Sequence, residues 1–135
     1  MGNHDVRPHF RSILLGESRT DTPCYREDLR GGVRWIFLDS KHGDDAWGEI
    51  DAAQMAWLRA TLAQPAAGLP TIVFVHHPPT RTGVPWHDEH LIRNGADLLD
   101  LLADTGEVLA VCFGHLHLAT QQVVIAGHSR RRSDA

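Results

Sequence analysis

No apolar stretch in this 135-residue chain approaches the roughly 18 consecutive residues that a membrane-spanning helix needs. Nor does a charged-then-apolar leader open it. No membrane partner is therefore expected, and a cytoplasmic location is. Cysteine is scarce. Cys24 and Cys112 are the only two and show no CxxC spacing, which excludes a disulfide scaffold and a zinc ribbon. Cys112 lies inside an apolar run and is expected to be a buried free thiol. A basic excess is also missing: 13 Lys and Arg against 17 Asp and Glu leave a net charge of −4. A nucleic-acid polymer is not an expected partner of such a surface. The run Arg130-Arg131-Arg132 reads as part of a solvated tail. Neither repeats nor low-complexity tracts occur before that tail, so residues 1–128 are read as one domain and 129–135 as a disordered basic end.

What the chain has in excess is histidine, 10 residues in short dense groups. Imidazole is the commonest metal ligand and the usual proton carrier near neutral pH, so position must decide its role. Residues 7–24 read as irregular, with one short helical turn. Val33 to Leu38 is β-branched and aromatic behind the turn residues Gly31-Gly32, and predicts a strand ending at Asp39-Ser40. Asp51 followed by Gln54 has capping-box spacing, and Met55, Leu58 and Leu62 share a face, which predicts a helix over 52–63. Thr71 to Val75 and Val108 to Phe113 read as buried strands. Between them, Asn94 caps a helix whose Leu98, Leu99, Leu101 and Leu102 face inward, with Gly106 after its end. Val123-Val124-Ile125 is a candidate edge strand.

This order contains a βαβ unit, and its two strands should be parallel. Their carboxyl ends then emerge at one edge of an α/β sheet, where ligands bind in open folds. His76-His77 follows the first of these strands and His115-Leu116-His117 the second. If extended backbone persists past Phe113, the i and i+2 imidazoles of His115 and His117 point the same way. Each cluster is weak alone, as is Gly2-Asn3-His4-Asp5 at the start. Their convergence is the stronger signal.

The ordered set GNHD, VHHPP and GHLH resembles the calcineurin-like metallophosphoesterases, and among them the bacterial class III 3′,5′-cyclic nucleotide phosphodiesterases. Leu38-Asp39-Ser40, the Gly48 loop, Gln54-x-x-Trp57-Leu58 and Asn94 also fit. The resemblance covers residues 2 to about 118 and implies part of an α/β sandwich, with sheets flanked by helices. It implies hydrolysis of a small-molecule phosphodiester such as cAMP, in which two divalent ions (Mn²⁺, Fe²⁺ or Fe³⁺, Zn²⁺, Co²⁺) activate the attacking hydroxide. Asn3, His76 and His115 would bind the second ion and His117 the first. His4 would serve as general acid and touch substrate, Asp5 would brace His4 or its loop, and His77 would stand behind the ligands. The loop that follows, around His87, Asp88 and His90, reads either as a substrate-facing lip, with His87 the candidate substrate contact, or as an ordinary solvated loop.

Ahead of GNHD the family pattern has an Asp-x-His motif and a Gly-Asp motif carrying the bridging carboxylate. Neither stands there; Gly43-Asp44 comes after GNHD, in a loop. At most one ion, weakly held, is therefore expected. The chain is expected to be a C-terminal piece of such an enzyme, or one read from an internal Met1, and to turn over poorly by itself. A second reading is a non-catalytic remnant that binds a metal or a partner, and a homodimer is compatible with either.

Overall fold

The computed structural model describes residues 1–66 and 68–121. The candidate edge strand at 123–125 and the basic end at 129–135 lie outside the described residues. Four strands form one mixed sheet in the order β1 (Arg26–Arg30), β2 (Val33–Phe37), β3 (Thr71–Phe74), β4 (Val108–Cys112). The β1/β2 pair is antiparallel, and β2/β3 and β3/β4 are parallel. The predicted α/β class and βαβ unit are therefore present. No helix among the described residues is long and apolar enough to cross a membrane.

β1 has no hydrophobic alternation to announce it. Its sequence, Arg-Glu-Asp-Leu-Arg, is largely exposed, and it forms because Gly31 and Gly32 take positive φ of 62° and 76°. Two consecutive positive-φ residues make the two-residue turn whose twist matches a hairpin. The charges along β1 also blunt that edge against unwanted strand pairing.

The crossover helices are α2 (Ala52–Leu62) and α3 (Gly95–Asp104), preceded in the chain by a single α-helical turn, α1 (Arg7–His9), which widens into a π-type turn over Phe10–Leu15. Both crossovers cover the same face of the sheet. Ile36, Leu38, Val73 and Val75 pack there with Leu58 and Leu62 of α2 and Leu98, Leu101 and Leu102 of α3. Leu99, predicted to face inward, is only half-buried.

Two predicted caps are used differently from expectation. The Asp51 carboxylate does accept from the Gln54 N–H at 2.7 Å. The Gln54 side chain, however, does not return to the cap. It accepts from the Asp39 N–H at 2.8 Å and donates to the Asp39 carbonyl at 2.9 Å, deep in the core. Asn94 sits at the N-cap of α3 but makes no side-chain cap bond. Its amide instead bridges the backbone of Ile50, accepting at 3.1 Å and donating at 2.7 Å. In both cases a side chain that could serve its own helix fastens a loop near the strand ends, because buried backbone groups there need partners.

The opposite face of the sheet is aromatic: Phe74 stacks on Trp35 and Phe37 at 5.8 and 5.4 Å. The turn over residues 7–15 approaches one end of this face and leaves a cavity of ≈ 520 Å³, lined in part by Phe10, Leu15, Phe37, Phe74 and His76. β4 is less enclosed than its apolar sequence predicts. Its register shifts opposite Thr71/Ile72, which leaves Leu109 as an unpaired, exposed extra residue. Cys112 is exposed, not buried. Among the described residues β4 is the other sheet edge, and helices cover only one of its faces.

Candidate metal centre

β3 and β4 end side by side, and the chain leaves both at the same edge. The Val75 N–H donates to the Cys112 carbonyl and the Gly114 N–H to the His76 carbonyl, each at 3.0 Å. Alternation along the end of β3 sends Val75 and His77 to the helix-covered face and His76 to the other. His77 is fully buried, with its Nδ1 2.8 Å from the Ser40 hydroxyl. Ser40 in turn accepts from the His77 backbone N–H at 3.3 Å.

The GHLH segment does not continue the strand. His115 and His117 have φ of 70° and 52°, a left-handed conformation that costs a non-glycine residue roughly 1 kcal/mol. The expectation that extended backbone would aim both imidazoles alike is therefore corrected: β4 stops at Cys112 and a tight turn follows. Buried Leu116 anchors this turn. His115 is turned inward, and His117 is left exposed.

The ligand atoms of His76, His77 and His115 lie within 4.8 Å of one another. His76 Nε2 and His115 Nδ1 are 3.0 Å apart, close to the roughly 3 Å edge between neighbouring ligands on one ion at ordinary metal–nitrogen distances. His77 Nε2 and Asn3 Oδ1 are buried without a hydrogen-bond partner. Orphaned buried polar atoms are rare in folded proteins, and a bound ion is one partner that would satisfy them. Imidazole nitrogens with an amide oxygen fit Zn²⁺, Mn²⁺, Fe²⁺ or Co²⁺ and are a poor set for Ca²⁺.

Burial holds all three imidazoles toward the neutral, ligand-competent form. It lowers His77 to about 3, with His115 and His76 adding to the effect. It also lowers His76, helped by the N-terminal ammonium, and lowers His115, helped by His76 and His90. The unfolded chain titrates its histidines near 6.5 and so binds more protons than the native state below that pH. The stabilisation is thus fully present above pH 6.5 and is lost as the pH falls toward the native value of about 3. Urea unfolding of the EDTA-treated chain is expected to lose up to about 1.4 kcal/mol per pH unit from His77 alone between pH 6 and 4.5. A His77→Gln variant should flatten that slope, and an equal slope in both proteins would refute the assignment.

The GNHD loop packs directly on this cluster. A Cβ on Gly2 would lie 2.6 Å from the His76 ring, so glycine is required at this contact. Of the two partners expected for Asp5, His4 or its loop, the structure shows the loop. The Asp5 carboxylate accepts from the Gly2 N–H at 2.8 Å, while the Asp5 N–H donates to the Gly2 carbonyl at 3.1 Å, closing the turn. His4 is exposed, yet near enough to depress His76 and His115 electrostatically.

Arg7 ties the loop down: its Nε donates to buried Asp39 at 2.9 Å, and its Nη2 to the Lys41 carbonyl. Lys41 Nζ donates to the Asn3 carbonyl at 2.9 Å. On the far side of His77, Gly48 is required by close approach, since a Cβ there would lie 2.5 Å from His77 Nδ1.

His87 is not brought to the cluster; its ring lies against Trp86 at 5.3 Å. The loop reaches the site through His90 instead, whose ring is 5.9 Å from that of His115. The only Asp-x-His in the sequence, Asp88-Glu89-His90, is in this loop. The Asp88 carboxylate is already occupied by the Thr82 N–H, the Thr82 hydroxyl and Arg81, so it adds no ligand. Gly43-Asp44 is likewise an exposed turn.

No family model matches the chain. In sequence it is similar to bacterial proteins named as cyclic nucleotide phosphodiesterases. It is 42% identical over 124 residues to a Rhodococcus erythropolis protein named a probable cyclic nucleotide phosphodiesterase, covering 89% of this chain and 39% of that one. It is 37% identical over 125 residues to a Mycobacterium tuberculosis cAMP/cGMP dual specificity phosphodiesterase, covering 93% and 39% respectively. It is 33% identical over 118 residues to the 3′,5′-cyclic adenosine monophosphate phosphodiesterase CpdA of Escherichia coli, covering 86% and 41%. The chain thus spans about two fifths of the length of these relatives.

Proposed function

We propose that this chain carries one part of the active site of a metal-dependent phosphodiesterase, with cyclic nucleotides such as cAMP as favoured substrates. The observation that carries this reading is the convergence of three imidazole ligand atoms within 4.8 Å at the ends of two parallel strands. Homology to proteins named for cyclic nucleotide hydrolysis supports the substrate class.

His76 and His115 would hold a divalent ion, with the orphaned Asn3 Oδ1 completing the set and His77 bracing it through Ser40. When bound, such an ion withdraws charge from phosphate oxygens and lowers the pKa of a coordinated water. The remaining tasks fall to the chain. His4, exposed beside the cluster, delivers a proton to the departing alkoxide and is reloaded from solvent. Asp5 and Arg7 keep the loop closed so that His4 faces the phosphate.

His117, expected by family likeness to bind the first ion, is exposed and outside the convergent group. The described residues therefore favour one ion position over two. Calorimetric titration of the purified chain with Mn²⁺ is expected to give one site, and hydrolysis of bis(p-nitrophenyl) phosphate and cAMP to be slow and Mn²⁺-dependent. Absence of any Mn²⁺ or Zn²⁺ binding would sink the reading. Two tight sites with rapid turnover would overturn its single-ion part.

A further inference from the structure

The loop that follows His77-Pro78-Pro79 presents an indole that the metal chemistry leaves unused. Trp86 is 63% exposed, an uncommon state for so large an apolar ring. Yet the loop beneath it is firmly fastened. Asp88 gathers the Thr82 N–H at 2.7 Å, the Thr82 hydroxyl at 3.0 Å and Arg81 Nε at 3.1 Å. The Asp88 N–H donates to the Val84 carbonyl, and the His90 N–H to the His87 carbonyl, both at 3.0 Å. The exposed ring is thus displayed on a fixed support.

Its nearer ring neighbour is His90, at 4.7 Å, and His90 lies in turn 5.9 Å from His115. Three rings therefore lead from the imidazole cluster out to Trp86. His90 Nδ1 is 2.7 Å from the Trp86 carbonyl oxygen. A carbonyl can only accept, so His90 donates from Nδ1. In the neutral ring Nε2 is then a lone-pair acceptor.

We propose that Trp86 and His90 form the nucleoside-recognition lip of this site, a reading that rests on the phosphodiesterase assignment above. With phosphate at the imidazole cluster, the sugar falls beside His90 and the base over Trp86. Aromatic faces bind bases by stacking with little regard to which base is present. In a 3′,5′-cyclic nucleotide the 3′ and 5′ oxygens are esterified, so the 2′-hydroxyl is the ribose's only hydrogen-bond donor. His90 Nε2 accepts from it.

Equilibrium dialysis on the Mn²⁺-loaded full chain tests this, with cAMP, 2′-deoxy-cAMP and inorganic phosphate as probes. Trp86→Ala is expected to weaken cAMP binding about tenfold, with Trp86→Phe recovering most of it and phosphate binding unchanged. His90→Ala should weaken cAMP by about fivefold and leave 2′-deoxy-cAMP unaffected. Normal phosphate binding with wild-type cAMP affinity in Trp86→Ala would overturn the lip alone. Equal losses for cAMP and 2′-deoxy-cAMP in His90→Ala would overturn the ribose contact. A wild-type chain that takes up neither cAMP nor phosphate would overturn the phosphodiesterase reading and the lip with it. Trp86 is exposed, so its replacement should leave the fold intact, which far-ultraviolet circular dichroism checks.

Discussion

Replacing His76 with alanine is expected to weaken Mn²⁺ or Zn²⁺ binding by about 100-fold or more, since the loss of even a residue that only orients a ligand costs 10- to 100-fold. Stability should hardly change. The His76 ring is half-buried among other imidazoles that burial already disfavours in their charged form. Removing it takes away crowding along with packing, and a urea midpoint within about 1 kcal/mol of wild type is expected. His77→Ala should behave differently, losing both metal binding and stability, because that ring is fully buried against Ser40 and Gly48. Calorimetric titration paired with urea unfolding separates the two. Unaltered metal affinity in His76→Ala would remove the imidazole cluster from consideration as the ion position.

The largest loss of stability is expected from Asp39→Ala. Asp39 is 1% exposed, and its carboxylate joins three groups: the Arg7 guanidinium, the Cys24 N–H at 2.8 Å and the Lys41 N–H at 3.0 Å. Its removal leaves a half-buried guanidinium and two backbone donors without their acceptor. Breaking such a pair from one side typically costs about 3–5 kcal/mol, which for a domain of this size lowers Tm by roughly 10 °C or more. Arg7→Ala should cost as much or less, and it should also free the GNHD loop. The comparison is informative because Arg7→Ala is then expected to weaken metal binding as well, through Asn3. Thermal unfolding of both variants in EDTA and in Mn²⁺ measures each effect; a Tm change of under 3 °C in Asp39→Ala would refute the role given to this carboxylate.

The parts of this fold that were legible in the sequence are those where one physical preference acts alone. Leu58 and Leu62 announced a helix, and Ile72 to Val75 a buried strand, because apolar periodicity and burial coincide there. β1 was invisible for the opposite reason: charged residues form its strand, and only the two glycines behind it dictate the hairpin. Gln54 and Asn94 were placed correctly but given the wrong partners, since a local cap and a distant backbone compete for the same amide and sequence spacing registers only the first. At the site, strand order sufficed to bring His76 and His115 together. It could not disclose that β4 stops before GHLH, because the two left-handed histidines depend on a turn anchored by Leu116. The loop around His87, Asp88 and His90 was legible as a candidate lip, but not which of its rings approaches the cluster, because that depends on the shape of the loop, which no spacing rule encodes.

The left-handed turn at His115 bears on how this protein should be taken apart. Alanine scanning assumes that trimming a side chain leaves the backbone indifferent, and at position 115 that assumption fails. An alanine would keep the unfavourable φ of 70° while discarding whatever the imidazole gave in return, so its phenotype would mix chemistry with conformation. Glycine, which adopts this geometry freely, and asparagine, which tolerates it, separate the two. A function lost in all three variants belongs to the ring; one lost only in alanine belongs to the turn.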